Sequence, residues 1–129
     1  MLNEAASLYR HAPVQLGSEF VLSKAVVRAA DQLGLKGVEL AEILGISTAQ
    51  VSRLKAGAWT LDGKSFELAG HVVRLYRSLA AMTGGEDAAT RSWMRAPHRV
   101  FQTTPAQHIK TVHGLISCVA YIDSHRAPL

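Results

Sequence analysis

Apolar residues recur along this chain at intervals of three and four, the spacing of one face of an α-helix. Glycine and proline residues fall between the periodic segments, where a helix ends or cannot continue. The spacing predicts helices over residues 21–33, 38–44, 48–56, 65–82, 86–95 and 106–124. We find no confident strand pattern. The distribution of apolar residues therefore predicts an all-α fold.

Changes in this pattern divide the chain into an N-terminal arm and two helical modules. Residues 1–20 show little periodicity and are expected to form a mobile arm or a short helix. The pair Gly84-Gly85 stops the long helix before it, because glycine readily leaves the helical conformation. We therefore place the boundary between a first module, residues 21–83, and a second module, residues 84–129.

The stretch ELAEILGISTAQVSRLKAG, residues 39–57, holds two short helical patterns separated by Gly45. Glycine can adopt the left-handed conformation of a sharp turn, and the small Ala41 one turn earlier lets two helices approach each other. The residues expected to be buried around the turn are Leu40, Leu44, Ile46, Val51 and Leu54. An ordinary αα-hairpin would share these features, but it need not leave the second helix polar outside. The first module is therefore predicted to be a helix-turn-helix DNA-binding domain.

The second helix of this pair has a small, polar outer face. Because successive helical residues turn by about 100°, burial of Val51 and Leu54 leaves Ala49, Ser52, Arg53 and Ala56 outside. Such a face fits the major groove of DNA, where arginine bonds guanine and an alanine methyl group contacts thymine. The candidate DNA contacts are Lys36, Thr48, Ala49, Gln50, Ser52, Arg53 and Lys55. The two lysines suit phosphate contacts.

Gln50 has two interpretations. Ser47 and Gln50 form an S-x-x-Q pattern, in which each side chain caps a free backbone N–H at the start of a helix. At this position of a recognition helix, the same amide could instead contact adenine or a phosphate. The sequence leaves both roles open.

Composition permits an anionic partner without requiring one. The 129 residues include 14 Lys and Arg and 10 Asp and Glu, a formal net charge of +4. The single cysteine, Cys118, lies in the apolar segment LISCVAYI, which predicts a buried thiol in a reducing compartment and so a cytoplasmic protein. We find no apolar run long enough to cross a bilayer and no signal-peptide pattern at the N-terminus.

Histidines in the second module raise the question of a metal or catalytic site. They are His98, His108, His113 and His125. His108 and His113 are five residues apart, about 140° around a helix, and no Cys or carboxylate lies at ligand spacing from them. Motifs for a phosphate loop, a nucleophile elbow or paired catalytic carboxylates are also missing from the sequence. We therefore expect no metal, no cofactor and no enzymatic activity.

The second module contains Trp, Pro, Pro and Gly residues in a distinctive order. They lie in VVRLYRSLAAMTGG, then RSWMRAPHRV with Trp93 and Pro97, then Pro105, then HGLISCVAYIDSHR with Gly114. With the helix-turn-helix before them, these segments resemble the Xre/MbcA/ParS antitoxins, whose C-terminal domain binds a toxin. The resemblance covers about residues 33–126.

The chain departs from this family between its two prolines. Members commonly have Asn after the first proline and a glycine pair before the second, whereas this chain has His98 and the sequence Gln102-Thr103. These differences bear on the conformation of the local turn.

The resemblance implies an antitoxin that binds and inhibits a RES-domain toxin, an enzyme that degrades NAD or ADP-ribosylates its target. It also implies repression of the antitoxin's own operon by a dimer or a toxin complex. In this family the extreme C-terminus resembles a plug that enters the active-site cleft of the toxin. Arg126 on such a plug could bind carboxylates or compete for the site of the NAD phosphates, and a solvated terminus is the alternative. The candidate toxin contacts are Trp93, Arg95, Tyr121, His125, Arg126 and Leu129.

Other interpretations fit the same residues. Trp93 suits a core anchor as well as a partner contact. A free-standing transcriptional regulator would use the second module only to dimerise or to sense a ligand. A toxin-binding protein could have lost DNA binding, since the outer face of its recognition helix carries one arginine and two alanines.

Overall fold

The computed structural model describes the backbone of residues 3–125 and the side chains of residues 17–125. Seven helices follow one another in this part of the chain: α1 (Asn3–Leu33), α2 (Gly37–Leu44), α3 (Thr48–Lys55), α4 (Gly63–Met82), α5 (Asp87–Arg95), α6 (Pro105–His108) and α7 (Val112–His125). No strand forms within the described residues, where His98 and Thr103 make an isolated antiparallel bridge. The predicted all-α fold is confirmed.

Helix α4 lies at the centre of the fold because both α1 and α7 pack against it. Its buried apolar residues are Ala69, Val72, Val73, Leu75 and Leu79. A polar contact adds to the packing against α7: Arg74 and Ser78 donate hydrogen bonds to the Asp123 carboxylate over 2.6 Å and 2.7 Å. Since Asp123 accepts from two turns of α4, it fixes the position of α7 along that helix.

Helix α1 differs from its prediction in two respects. It begins at Asn3, so residues 3–20 of the predicted arm are helical and continuous with the rest of α1. The apolar period is weak over these residues, and the sequence therefore did not show where the helix begins. Val21, the first residue of the predicted helix, is apolar but exposed, because it lies five residues before the buried Val26 and so about 140° away around the helix.

The predicted turn between α2 and α3 is confirmed. Gly45 has φ 69° and ψ 34°, the left-handed conformation, and its N–H bonds the carbonyl groups of Ala41 and Glu42. Ala41 is buried at the same turn. Of the aliphatic residues expected around it, Leu40, Leu44, Val51 and Leu54 are buried and Ile46 is half-buried.

The single helix predicted over residues 106–124 is divided into α6 and α7. The Thr104 hydroxyl caps α6 by accepting from the Gln107 N–H, and the Thr111 hydroxyl accepts from the Gly114 N–H in the first turn of α7. Gly114 permits the bend, because a Cβ at this position would lie 1.8 Å from the carbonyl oxygen of His108.

This bend changes which residues of the last helix are buried. In a single helix over residues 106–124, Val112 and Ile116 would share an apolar face with Ile109, but both are exposed, and Ile109 reaches the core from the turn itself. The buried face of α7 instead consists of Leu115, Cys118, Val119 and Ile122. The prediction was wrong because it assumed one continuous helix, whereas the chain bends between α6 and α7.

Two further expectations concern Cys118 and the membrane. Burial raises the pKa of the Cys118 thiol to about 12, so the thiol is protonated and unreactive near neutral pH. The prediction of a buried cysteine is confirmed. Among residues 3–125, no helix combines the length and the hydrophobicity that crossing a bilayer requires.

Gly114→Ala tests the bend between α6 and α7. The added Cβ would overlap the backbone of His108, so we expect the free energy of unfolding to fall by about 3 kcal/mol or more. Gly70→Ala is the matched control, because nothing lies within 4 Å of a Cβ at that helical site and alanine should stabilise it by up to about 1 kcal/mol. Urea unfolding measures both, and equal stability of the two variants would contradict the bend.

Candidate functional site

The exposed face of α3 agrees with the predicted recognition face. Val51 and Leu54 are buried against the other helices, and both Gly45 and the cap at Ser47 fix where α3 begins. The candidate DNA contacts Thr48, Ala49, Ser52, Arg53 and Lys55 are all exposed. Arg53 has no ion-pair partner among the described residues. The face is therefore accessible, and its contact with DNA remains a prediction.

Gln50 makes the capping interaction that the sequence predicts as one of its two roles. Its N–H donates to the Ser47 hydroxyl over 3.0 Å, and its side-chain oxygen accepts from the Ser47 N–H over 2.9 Å. The side chain is half-buried. Gln50 thus stabilises the start of α3 in the free chain, while its contact with DNA stays a prediction.

Lys36 and Lys55, the predicted phosphate contacts, lie close to the start of α2. The Lys36 N–H donates to the Glu39 carboxylate over 2.8 Å, which satisfies one of the free amides of this helix end. The Lys55 ammonium reaches the same turn from α3, 3.6 Å from where a Cβ of Gly37 would lie. The structure therefore brings both lysines to one edge of the helix-turn-helix.

Arg95, a predicted toxin contact, is bound to the helix-turn-helix. Its guanidinium donates to both carboxylate oxygens of Glu39 over 2.7 Å and 2.8 Å, and to the Gly34 carbonyl over 2.7 Å. Arg91, one turn earlier in α5, donates to the Asp31 carbonyl over 2.9 Å. These bonds fasten α5 to α1 and α2, an interaction that the sequence did not indicate.

The Arg95 bond changes the acidity of Glu39. The side chain of Glu39 is 12% exposed, and the hydrogen bond from Arg95 lowers its pKa from 4.5 to about 2 despite the opposing effect of burial. The pKa of Arg95 is raised by the same hydrogen bond. Both groups are therefore charged throughout the physiological pH range.

Six aromatic and histidine rings meet on the surface of the second module. We call them the aromatic cluster: Trp93, His98, Phe101, His108, Tyr121 and His125. Phe101 stacks between His98 and His108 with ring centroids 4.5 Å and 4.4 Å away, and Tyr121 stacks on His125 at 4.1 Å. His125 is exposed and the other five rings are partly exposed. Half-exposed rings of this kind are enriched at protein interfaces.

The cluster brings together candidates that are distant in the sequence. Trp93 of α5 and Tyr121 and His125 of α7, all predicted toxin contacts, meet through Phe101 and His98. The sequence did not indicate that Phe101, His98 and His108 join them, because ring stacking depends on the loop between α5 and α6. Arg126 and Leu129 lie outside the described residues.

The turn from His98 to Thr103 explains the two departures from the antitoxin family. Nδ1 of His98 accepts from the Val100 N–H over 3.2 Å, the bond that an asparagine side chain makes to the backbone two residues on. Gln102 has φ 61° and so occupies the left-handed region that glycine adopts without strain. His98 thus makes a side-chain bond of the kind that asparagine makes in turns, and the conformation of Gln102 costs about 1 kcal/mol.

Three of the four histidines of this module, His98, His108 and His125, take part in ring contacts. Across the described part of the chain, no three His, Cys, Asp or Glu side chains come together in a way that could hold an ion. Burial lowers the pKa of His108, with a smaller contribution from His113. The neutral ring is the form that stacks on Phe101 at neutral pH.

Comparison with known families identifies both halves of the chain. Residues 15–74 match the model described as the antitoxin Xre-like helix-turn-helix domain. Residues 78–127 match the antitoxin Xre/MbcA/ParS C-terminal toxin-binding domain. No curated protein matches the chain. The second match begins before Gly84-Gly85, so the module boundary that we placed there stays a prediction.

Acid titration tests the bond between Arg95 and Glu39. Because the pKa of Glu39 is lowered in the folded chain, its contribution to stability is present above about pH 4.5 and is lost as pH falls toward about 2. We expect Glu39→Gln to reduce the free energy of unfolding by about 1–2 kcal/mol at pH 7, since Arg95 is partly screened by solvent. Urea unfolding should show this difference shrinking below pH 4.5, and a difference independent of pH would contradict the pairing.

Proposed function

Because this chain belongs to the Xre/MbcA/ParS antitoxins, we propose that it neutralises a RES-domain toxin and represses the operon that encodes both proteins. The toxin of this proposal degrades NAD or ADP-ribosylates a target, and the antitoxin acts by binding rather than by catalysis. Such a protein works in the cytoplasm as a dimer or in a larger complex with the toxin. The match of residues 78–127 to a toxin-binding domain favours this role over a free-standing regulator.

The presence of two different exposed surfaces carries the proposal. The outer face of α3 is small and polar with Arg53 at its centre, which suits the floor of a DNA groove. The aromatic cluster presents partly exposed rings beside Val100, which is 61% exposed, and this composition suits a protein partner. Since the two surfaces lie on different helices, one chain can serve both partners.

The aromatic cluster is the proposed contact with the toxin. Rings of this size are strong contributors to protein interfaces when the partner excludes water from them. Val100 lies in the loop that carries His98 and Phe101, and its N–H bonds His98. A charge introduced at Val100 would therefore be buried beneath the toxin without disturbing the core.

Val100→Asp tests the toxin contact. We expect the variant to fold normally and to lose at least about tenfold in toxin affinity, because an unpaired carboxylate is costly to bury. The readouts are rescue of growth on co-expression with the adjacent toxin gene and inhibition of NAD consumption in vitro. Val38→Asp is the matched control, since Val38 is equally exposed, at 59%, on α2. Full inhibition by Val100→Asp would remove the cluster from the toxin interface.

Arg53→Ala tests the DNA contact. If Arg53 reads a base, operator affinity should fall by about 1–3 kcal/mol and the preference at one half-site position should flatten. Gel shifts with the DNA upstream of the gene measure both effects, and toxin inhibition should be unchanged. Arg99→Ala controls for the loss of one exposed arginine in the second module. Unchanged operator binding by folded Arg53→Ala would mean that α3 is not the recognition helix.

A further inference from the structure

An open groove of about 1040 Å³ lies between α1, the start of α2, the end of α3 and α4. Charged side chains from α1, α3, α4 and the residue before α2 line it: Lys24, Arg28, Asp31, Lys36, Lys55 and Arg77. Five of the six are cations, in a chain whose net charge is only +4. The groove therefore concentrates positive charge far beyond the average of the surface.

The five cations of the groove form no ion pair within the described part of the chain, and Asp31 offsets only one of their charges. The ion pairs there use Arg74, Arg95 and Lys110, none of which lines the groove. The Lys24 ammonium lies 5.0 Å from the centre of the Phe20 ring, a contact that orients the cation without cancelling its charge. Cations that lie near one another without anionic partners repel one another, and a bound anionic ligand would relieve this repulsion.

The groove is continuous with the predicted recognition helix. Lys55, Ala56 and Gly57 at the end of α3 form one edge of it, and Ala56 is also on the outer face of that helix. From there the lining follows α1 from Phe20 to Asp31, a length of about 16 Å at 1.5 Å per residue. Phosphates of one DNA strand succeed each other every 3.4 Å along the duplex axis, so this length spans several of them.

We infer that this groove binds the phosphate backbone of the operator, with Lys24 and Arg28 of α1 and Arg77 of α4 extending the contact made by the helix-turn-helix. This inference rests on the proposed DNA binding. The recognition face specifies sequence, whereas the groove supplies affinity that is independent of sequence. Phe20 and Val21 leave the end of the groove partly apolar, which makes a second copy of the chain the alternative occupant.

Salt dependence of DNA binding tests the inference. Each phosphate contact contributes about 0.9 to the slope of log affinity against log salt concentration. The full-length variant Lys24→Gln/Arg28→Gln should therefore lower the slope by about 2 and weaken binding by roughly 50-fold at 0.1 M salt. The loss should be equal on the duplex from upstream of the gene and on a scrambled duplex of the same length. Fluorescence anisotropy between 50 and 300 mM salt measures each slope.

Arg28→Gln and Arg99→Gln form a matched pair, because both remove one exposed arginine and leave the same net charge. We expect the first to lower the slope by about 1 and the second to leave it unchanged. Thermal melting and the molecular mass in solution are recorded for each protein. Both side chains are exposed, so folding should be unaffected.

The remaining outcomes separate this inference from the proposed function. If Arg53→Ala weakens operator binding but the groove variants behave like Arg99→Gln, the groove inference is wrong and the proposed function stands. If the parent chain binds neither duplex, the groove inference and the proposed repression both fall, while toxin neutralisation is decided by the Val100→Asp test. If the groove variants instead change the mass of the free protein, the groove holds a second copy and the phosphate assignment is overturned.

Discussion

The bond between Arg95 and Glu39 fixes how α5 of the second module lies against the helix-turn-helix. Arg95 donates to the carboxylate of α2 and to the carbonyl of Gly34, which ends α1. Gly34 has φ 76°, and a Cβ on it would lie 3.1 Å from the side chain of Arg91. Glycine is therefore favoured at position 34 for two reasons: the backbone has a positive φ, and α5 approaches closely there. The bond from Arg91 to the Asp31 carbonyl holds α5 against α1 at a second point.

Helix α5 connects the helix-turn-helix to the aromatic cluster, because its side chains contact both. Arg91 and Arg95 bind α1 and α2, while Trp93 between them belongs to the aromatic cluster. Glu39 in turn accepts from the N–H of Lys36, at the edge of the helix-turn-helix where Lys55 also lies. A nine-residue helix therefore sets the distance between the proposed toxin contact and the proposed DNA contact.

Local signals made the helix-turn-helix predictable from the sequence. The turn at Gly45, the cap at Ser47 and the burial of Val51 and Leu54 depend on residues close together in the chain. The division of residues 106–124 was missed because it depends on Gly114 meeting a carbonyl six residues earlier. No helical period in the sequence reveals such a contact.

Contacts between distant segments account for what the sequence did not indicate at the candidate sites. Trp93, Tyr121 and His125 were selected from family resemblance, and only the folded chain shows that Phe101 and His98 connect them. Arg95 was predicted as a toxin contact from the same resemblance, and its bond to Glu39, 56 residues earlier, could not be read from the sequence. Ring stacking and long-range ion pairs produce no periodic pattern of residues in a sequence, whereas the buried face of a helix does.

Hydrogen exchange of the chain alone, with the proposed toxin and with DNA from upstream of its gene tests most directly whether the chain uses two separate surfaces. The account predicts that the toxin slows amide exchange around residues 93–103 and in α7, and that DNA slows it around residues 36–57. Neither partner should protect the region assigned to the other to a comparable extent. Protection of residues 36–57 by the toxin, with no change at the aromatic cluster, would contradict the account.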